Sequence, residues 1–244
     1  MDRLADVVSL PARRAASTLA AGARSTFDNV VDSSLHMVDD WGRDPDFVAR
    51  VWSMSRLRWN VAVNGHRRLP KRAGALIVVS ARRFALAPVF AALSIGGAVG
   101  RPVRFVGRPD IAPIGPVMQR LGGLLPRADE IAGALRAGQL VVMGADATMH
   151  PRAVGHIDHR LVGAAVAAGA KLFPAATASA PFLRSARVEI GSEVRADRGR
   201  RGPLAELELA DALESAIQRL LDELGGPVTG TPLDWLPLSG MGAG

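Results

Sequence analysis

The sequence has no cysteine and no tyrosine, and only two of its 30 basic residues, Lys71 and Lys171, are lysine. Without cysteine there are no disulfides and no thiolate metal sites, and nothing points to an oxidising compartment. Aromatic residues make up 5 % of the chain, so it lacks the stacking platform of a single-strand nucleic-acid reader, and no zinc module is visible. Long apolar runs are scarce as well. The longest uncharged stretch, Phe84 to Gly100, falls short of the roughly 20 residues that span a bilayer, and Pro88, Gly96 and Gly97 weaken it. The first turns carry Asp2 and Asp6 and no apolar core followed by a cleavage site, which is not the pattern of a signal peptide. A cytoplasmic protein is expected, at most peripheral on the inner face of the plasma membrane.

What remains is a chain of 244 residues, 48 % hydrophobic, long enough for one large domain with an extension. Its net charge of +7 is unevenly spread. Residues 1–60 hold eight Arg and eight Asp, residues 61–201 hold 21 basic and 8 acidic side chains, and residues 202–244 hold one basic and seven acidic. Genomic bias accounts for Arg in place of Lys, but not for the concentration of charge in the middle. A basic central segment suits phosphate-bearing partners, and the shortage of aromatics favours anionic lipid headgroups over nucleic acid.

The order of elements sets the fold class. Residues 12–40 read as an amphipathic helix. Asp44 and Pro45 then form an N-cap and first residue for a second helix, whose apolar face of Phe47, Val48, Val51, Trp52 and Met54 reads as packing on a domain. Trp59, Val61 and Val63 alternate like a strand, and Asn64-Gly65 is a turn signal of the hairpin kind. Ala75 to Val79 is a continuous apolar run of the sort found in buried parallel strands. Helices over 88–95, 116–121, 130–137, 161–168 and 204–224 alternate with strands over 102–106, 139–143, 172–177 and 187–190. The expected fold is α/β, a mostly parallel mixed sheet flanked by helices. Three parts are expected: an N-terminal helical extension over 1–58, the α/β domain over 59–225, and an apolar tail over 226–244.

Four blocks, in order and at matching spacing, carry a family resemblance. Val63-Asn64-Gly65 and Leu69-Pro70 precede the strand Ala75-Leu76-Ile77-Val78-Val79. Arg101 to Val106 is followed by Leu121-Gly122-Gly123-Leu124-Leu125-Pro126-Arg127. Leu140 to Met143 leads into Gly144-Ala145-Asp146-Ala147-Thr148. Val162-Gly163-Ala164-Ala165 precedes Lys171-Leu172-Phe173-Pro174-Ala175. Over residues 59–192 this resembles the 1-acylglycerol-3-phosphate acyltransferases of glycerolipid metabolism.

The resemblance implies a site and also its partial loss. In the family, a histidine after the first strand is general base on the acceptor hydroxyl, and an aspartate five residues on orients its ring. Here that box reads Ser80-Ala81-Arg82-Arg83-Phe84-Ala85-Leu86, with Ala81 and Leu86 at the two positions. Acyl transfer of this kind needs a group that titrates near neutral pH at hydrogen-bond range of the attacking oxygen, and alanine has no such group. The resemblance keeps Asp146 as a carboxylate where the family has glutamate, and Thr148 in the same block. It keeps Arg127 as the phosphate-binding arginine, with Arg82 and Arg83 adding charge beside the emptied box. His159, beside Asp158 in the loop after the Asp146 strand, is a candidate replacement base, although loop histidines are ordinarily just solvated. His156 and His159 lack a third ligand, so no metal site is expected.

Two functions follow from the resemblance. The first is an acyltransferase-like protein that binds a glycerophospholipid or acyl-CoA without the usual His-Asp chemistry. The alternative is a diverged acyltransferase, taking its acyl chain from acyl-CoA or acyl carrier protein and passing it to a lysophospholipid or glycolipid. No resident cofactor is expected. Expected partners are an anionic phospholipid or acyl-CoA and a membrane surface touched peripherally; a protein partner or homodimer stays open, and nucleic acid is not expected.

Overall fold

The computed structural model describes residues 38–58, 60–81, 87–148, 153–179, 185–196 and 202–224. In chain order its elements are helix α1 (Pro45–Arg58), strand β1 (Asn60–Asn64), strand β2 (Ala75–Val79), helix α2 (Ala87–Val99), strand β3 (Val103–Val106), helix α3 (Ile114–Arg120), strand β4 (Gly123–Leu124), helix α4 (Ala128–Arg136), strand β5 (Leu140–Gly144), helix α5 (His159–Ala167), strand β6 (Lys171–Ser179), strand β7 (Ser185–Ile190) and helix α6 (Pro203–Leu224). The segment 12–40 and the tail 226–244 lie almost wholly outside the described residues, as do Trp59 and the box from Arg82 to Leu86. Among the described residues no helix is long and apolar enough to cross a membrane.

Every residue of β2 is buried, so the strand needs cover on both faces, and the crossover connections supply it. The strands form one seven-stranded sheet in the order β1-β7-β6-β2-β5-β3-β4. The five strands β6, β2, β5, β3 and β4 run parallel. β7 turns back antiparallel to β6, and β1 lies parallel to β7 at the far edge. Alternate β2 residues face two separate cores. Leu76 and Val78 pack with Ile131 of α4, Leu161 of α5 and Leu213 of α6. Ala75, Ile77 and Val79 pack with Val89 and Ile95 of α2 and with Val48 of α1. The expected mixed, mostly parallel α/β fold is the one observed.

The turn signal at Asn64-Gly65 turns the chain without making a hairpin. Gly65 has φ 71° and opens a single 3-10 turn, His66–Arg68. β1 does not pair with β2; it lies at the edge beside β7, with β7 and β6 between it and β2. A tight turn signal specifies local backbone only. The partner of β1 is chosen by burial of Val61 and Val63 against the α2 face.

Helix α1 belongs with this domain. Its Val48 is buried in the sheet core, and the compact unit begins at Asp40, ahead of the boundary expected at residue 59. The chain enters along the exposed edge of β4, a strand of two residues that would otherwise leave backbone groups uncovered. Trp41 lies against Gly133 of α4, and Arg43 lies against Gly122. Asp44, 1 % exposed, then fastens the segment. Its Oδ2 accepts from Arg120 Nη2 at 2.7 Å and Nε at 3.2 Å, and its Oδ1 accepts from the Phe47 amide at 2.9 Å. The same carboxylate therefore caps α1, as the sequence suggests, and pairs with the last residue of α3. Met54, by contrast, is 63 % exposed, so the apolar face of α1 is only partly used.

Burial works to raise the pKa of the Asp44 carboxyl, but the Phe47 amide and the bonds and charge of Arg120 outweigh it, and the net shift is downward. A depressed folded pKa adds stability above the unfolded value and loses it as pH falls through the folded one. Asp44→Ala should cost about 3 kcal/mol at neutral pH by stranding Arg120 and uncapping α1. In urea unfolding, the gap between variant and wild type should narrow below about pH 4. A gap that is unchanged at low pH would show that the charge of Asp44 contributes nothing.

Candidate functional site

Because five strands run parallel, their carboxyl ends and the loops that follow collect at one end of the sheet. β2 and β5 are neighbours in register, with Val79 opposite Gly144. Two sequence blocks 64 positions apart, those beginning at Ser80 and Gly144, are thereby brought side by side.

Ser80 is buried and held in place. Its amide donates to Ala175 O at 3.2 Å, its Oγ accepts from the Thr177 amide at 3.2 Å, and Thr177 Oγ1 donates to Ser80 O at 3.4 Å. These bonds pin the end of β2 to β6. Ala81 comes next, half-buried, where the resemblance calls for the general base. A Cβ built on Gly144 would lie 3.3 Å from the Ala81 Cβ and 2.8 Å from Cγ of Pro88 in the first turn of α2. Ala81 and Pro88 therefore both close on Gly144.

Asp146 lies two residues past Gly144 and is exposed. Its amide donates to His156 O at 2.8 Å, and Gly155 approaches its carbonyl so closely that a Cβ there would lie 1.9 Å from the oxygen. Thr148 Oγ1 donates to Ala153 O at 3.1 Å. The backbone of this loop is folded back on itself, and the Asp146 carboxylate is left facing solvent beside the end of β2.

Arg127 stands at the N-cap position of α4, after the edge strand β4. Its side chain is 60 % exposed and lies 3.5 Å from Asp110, itself 70 % exposed. β4 is three strands from β2, about 14 Å at the usual interstrand spacing. Ala81 and Asp146 thus share one corner, and Arg127 borders the same end of the sheet farther out. His159 opens α5, with Asp158 as N-cap accepting from the Arg160 amide at 2.9 Å. α5 packs on the face of β2 that carries Leu76 and Val78, and α2 packs on the other. An imidazole at 159 reaches Ala81 only around the strand ends. Its Nδ1 is buried without a hydrogen-bond partner, and His156 is exposed. Among the described residues no three His, Cys, Asp or Glu side chains cluster as metal ligands. Arg82, Arg83 and Leu86 lie outside the described residues.

No protein-family model and no curated protein matches the chain. Among solved structures it is similar to the 1-acyl-sn-glycerophosphate (LPA) acyltransferase PlsC from Thermotoga maritima, with a TM-score of 0.55 and 18 % identity, over 73 % of this chain and 77 % of that one. The fold is acyltransferase-like.

Several contacts at this end of the sheet escaped the sequence. Thr177 is 97 positions from Ser80, Asp110 is 17 from Arg127, and neither spacing corresponds to a recognisable motif. Pro88 reads as a helix start, and nothing local reveals that its ring lies over Gly144.

The contact of Ala81, Gly144 and Pro88 is testable. A Gly144→Val chain must displace a proline ring at the start of a helix, and it should lose about 2 kcal/mol, in the range for overpacked sites. Urea unfolding measures this. A Gly144→Val protein as stable as wild type would mean that the corner is open.

Proposed function

We propose that the chain is an acyltransferase-like protein of lipid metabolism that binds a glycerophospholipid or acyl-CoA at the carboxyl ends of β2 and β5, without the usual His-Asp acyl-transfer chemistry. One observation carries the proposal: Ala81, at the position where the resemblance expects the general base, lies against Gly144, which also meets the ring of Pro88, while Asp146 stays exposed on the adjoining strand end. Removing a proton from an acceptor hydroxyl takes a group within about 3 Å that titrates near neutral pH, and Ala81 supplies none. The neighbouring hydroxyl of Ser80 accepts from the Thr177 amide and is held in the sheet. Arginine is well suited to phosphate, because its guanidinium offers a planar fork of donors with permanent charge. The exposure of Arg127 supports its use for a ligand phosphate, since its tie to Asp110 is long and open to solvent.

The exposed Asp146 supports a second reading, a diverged acyltransferase. There the acceptor hydroxyl would lose its proton to a carboxylate while its oxygen attacks the thioester carbonyl, and the thiol would leave carrying the proton. Positioning alone can supply a large part of such a barrier.

Both readings meet in one experiment with purified protein, acyl-CoA and lysophosphatidic acid. The first expects saturable binding by calorimetry, weakened by salt and about tenfold by Arg127→Ala, the scale of one charge-assisted hydrogen bond. It also expects no acylated product above the rate without protein. Product that disappears on Asp146→Ala or His159→Ala would replace the first reading with the second. Absence of both binding and product would sink both.

A further inference from the structure

The opposite end of the sheet, where the parallel strands begin, has its own chemistry. Residues 65–74 enter β2 and carry Arg67, Arg68, Lys71 and Arg72. The segment 99–102 enters β3 and carries Arg101, and 131–139 enters β5 and carries Arg136. These three segments contain six cations and no carboxylate. They also touch. Arg101 donates to the carbonyls of Pro70 at 3.0 Å, of Lys71 at 2.7 Å, and of Gly138. Arg68 donates to Ile190 O. Gly74 meets the carbonyl of Leu135 with no room for a Cβ, and Gly138, with φ 77°, meets that of Arg72. Two of the cations thus hold the backbone together. The other four, Arg67, Lys71, Arg72 and Arg136, are exposed and have no side-chain hydrogen bond or ion pair among the described residues.

We infer that this band is a docking surface for an anionic bilayer. Four unpaired cations on a backbone tied in place make a preformed positive surface, at roughly 1 kcal/mol per residue beside anionic lipid. The occupant follows from what surrounds the charges. No large apolar side chain is exposed in the three segments, so the band lacks the apolar or aromatic anchor on which protein interfaces concentrate their energy. It has no Phe, Tyr or Trp on which bases would stack. A planar field of phosphates needs neither. The inference rests on the lipid reading above for its choice of surface, yet it involves the other end of the sheet, so the two can fail separately. Docked in this way, the protein turns Ala81 and Asp146 away from the bilayer.

The test is co-sedimentation of the full-length chain with vesicles of phosphatidylcholine, with and without phosphatidylglycerol. Duplex DNA at the same salt serves as the competing polyanion. Wild type should bind only the vesicles that contain phosphatidylglycerol, and should be released as salt rises from about 0.1 M to about 1 M and the Debye length falls from about 10 to about 3 Å. Replacing Arg67, Lys71, Arg72 and Arg136 by Gln should weaken binding about fivefold per charge removed. The corresponding Glu variant should abolish it. Either variant should keep the wild-type circular dichroism, melting temperature and acyl-CoA affinity, whereas Arg127→Ala should weaken acyl-CoA binding and leave vesicle binding intact. No binding to anionic vesicles, equal binding to neutral ones, binding that survives both fourfold variants, or variant-sensitive binding to DNA alone would each overturn the inference.

Discussion

The constraint on which the rest of the structure depends is the burial of β2 on both faces. Five consecutive apolar residues cannot alternate between core and water, so helices must cover the strand above and below. Parallel neighbours on both sides meet that demand, because each crossover lays a helix across a face before the next strand begins. The same geometry gathers the carboxyl ends of five strands at one end of the sheet and their starts at the other. Every functional statement about this molecule depends on that separation. At the sheet edges the constraint relaxes, and other devices take over. β4 has only two residues and is covered by the entering chain, which Asp44 fastens to Arg120.

The fold was legible in the sequence to the extent that its signals were local. The run Ala75–Val79 and the cap at Asp44-Pro45 each act within a few residues, and each appears in the structure where it was read. Pairing is not local. Asn64-Gly65 bends the chain as its residue types require, but which strand β1 meets depends on faces buried more than a hundred residues later. The packing of α1 is non-local in the same way. α1 looks like part of an extension because it precedes the first strand, and only Val48 in the core shows that it belongs to the sheet.

The candidate site was legible as a set of positions but not as an arrangement. Sequence order alone placed Ala81 and Asp146 at two strand ends, and the register of β2 with β5 makes those ends neighbours. It could not reveal that Ala81 and Gly144 depend on each other. The side chain of Ala81 and the ring of Pro88 both close on Gly144 in this corner.

The two ends of the sheet also differ in how they hold their charges. At the carboxyl ends Arg127 faces Asp110, Arg108 faces Glu130 and Asp146 is exposed, so cations and carboxylates are mixed. Mixed charges at short range favour one oriented ligand over any anion that arrives, since a misplaced phosphate meets a carboxylate. The three segments from Arg67 to Arg136 contain no carboxylate, and a field of one sign attracts any extended anion without orienting it. Recognition and adhesion require opposite charge patterns, and a parallel sheet, with two chemically independent ends, can carry both. Adhesion at the strand starts would leave the carboxyl ends, with their mixed charges, free to admit and orient a ligand.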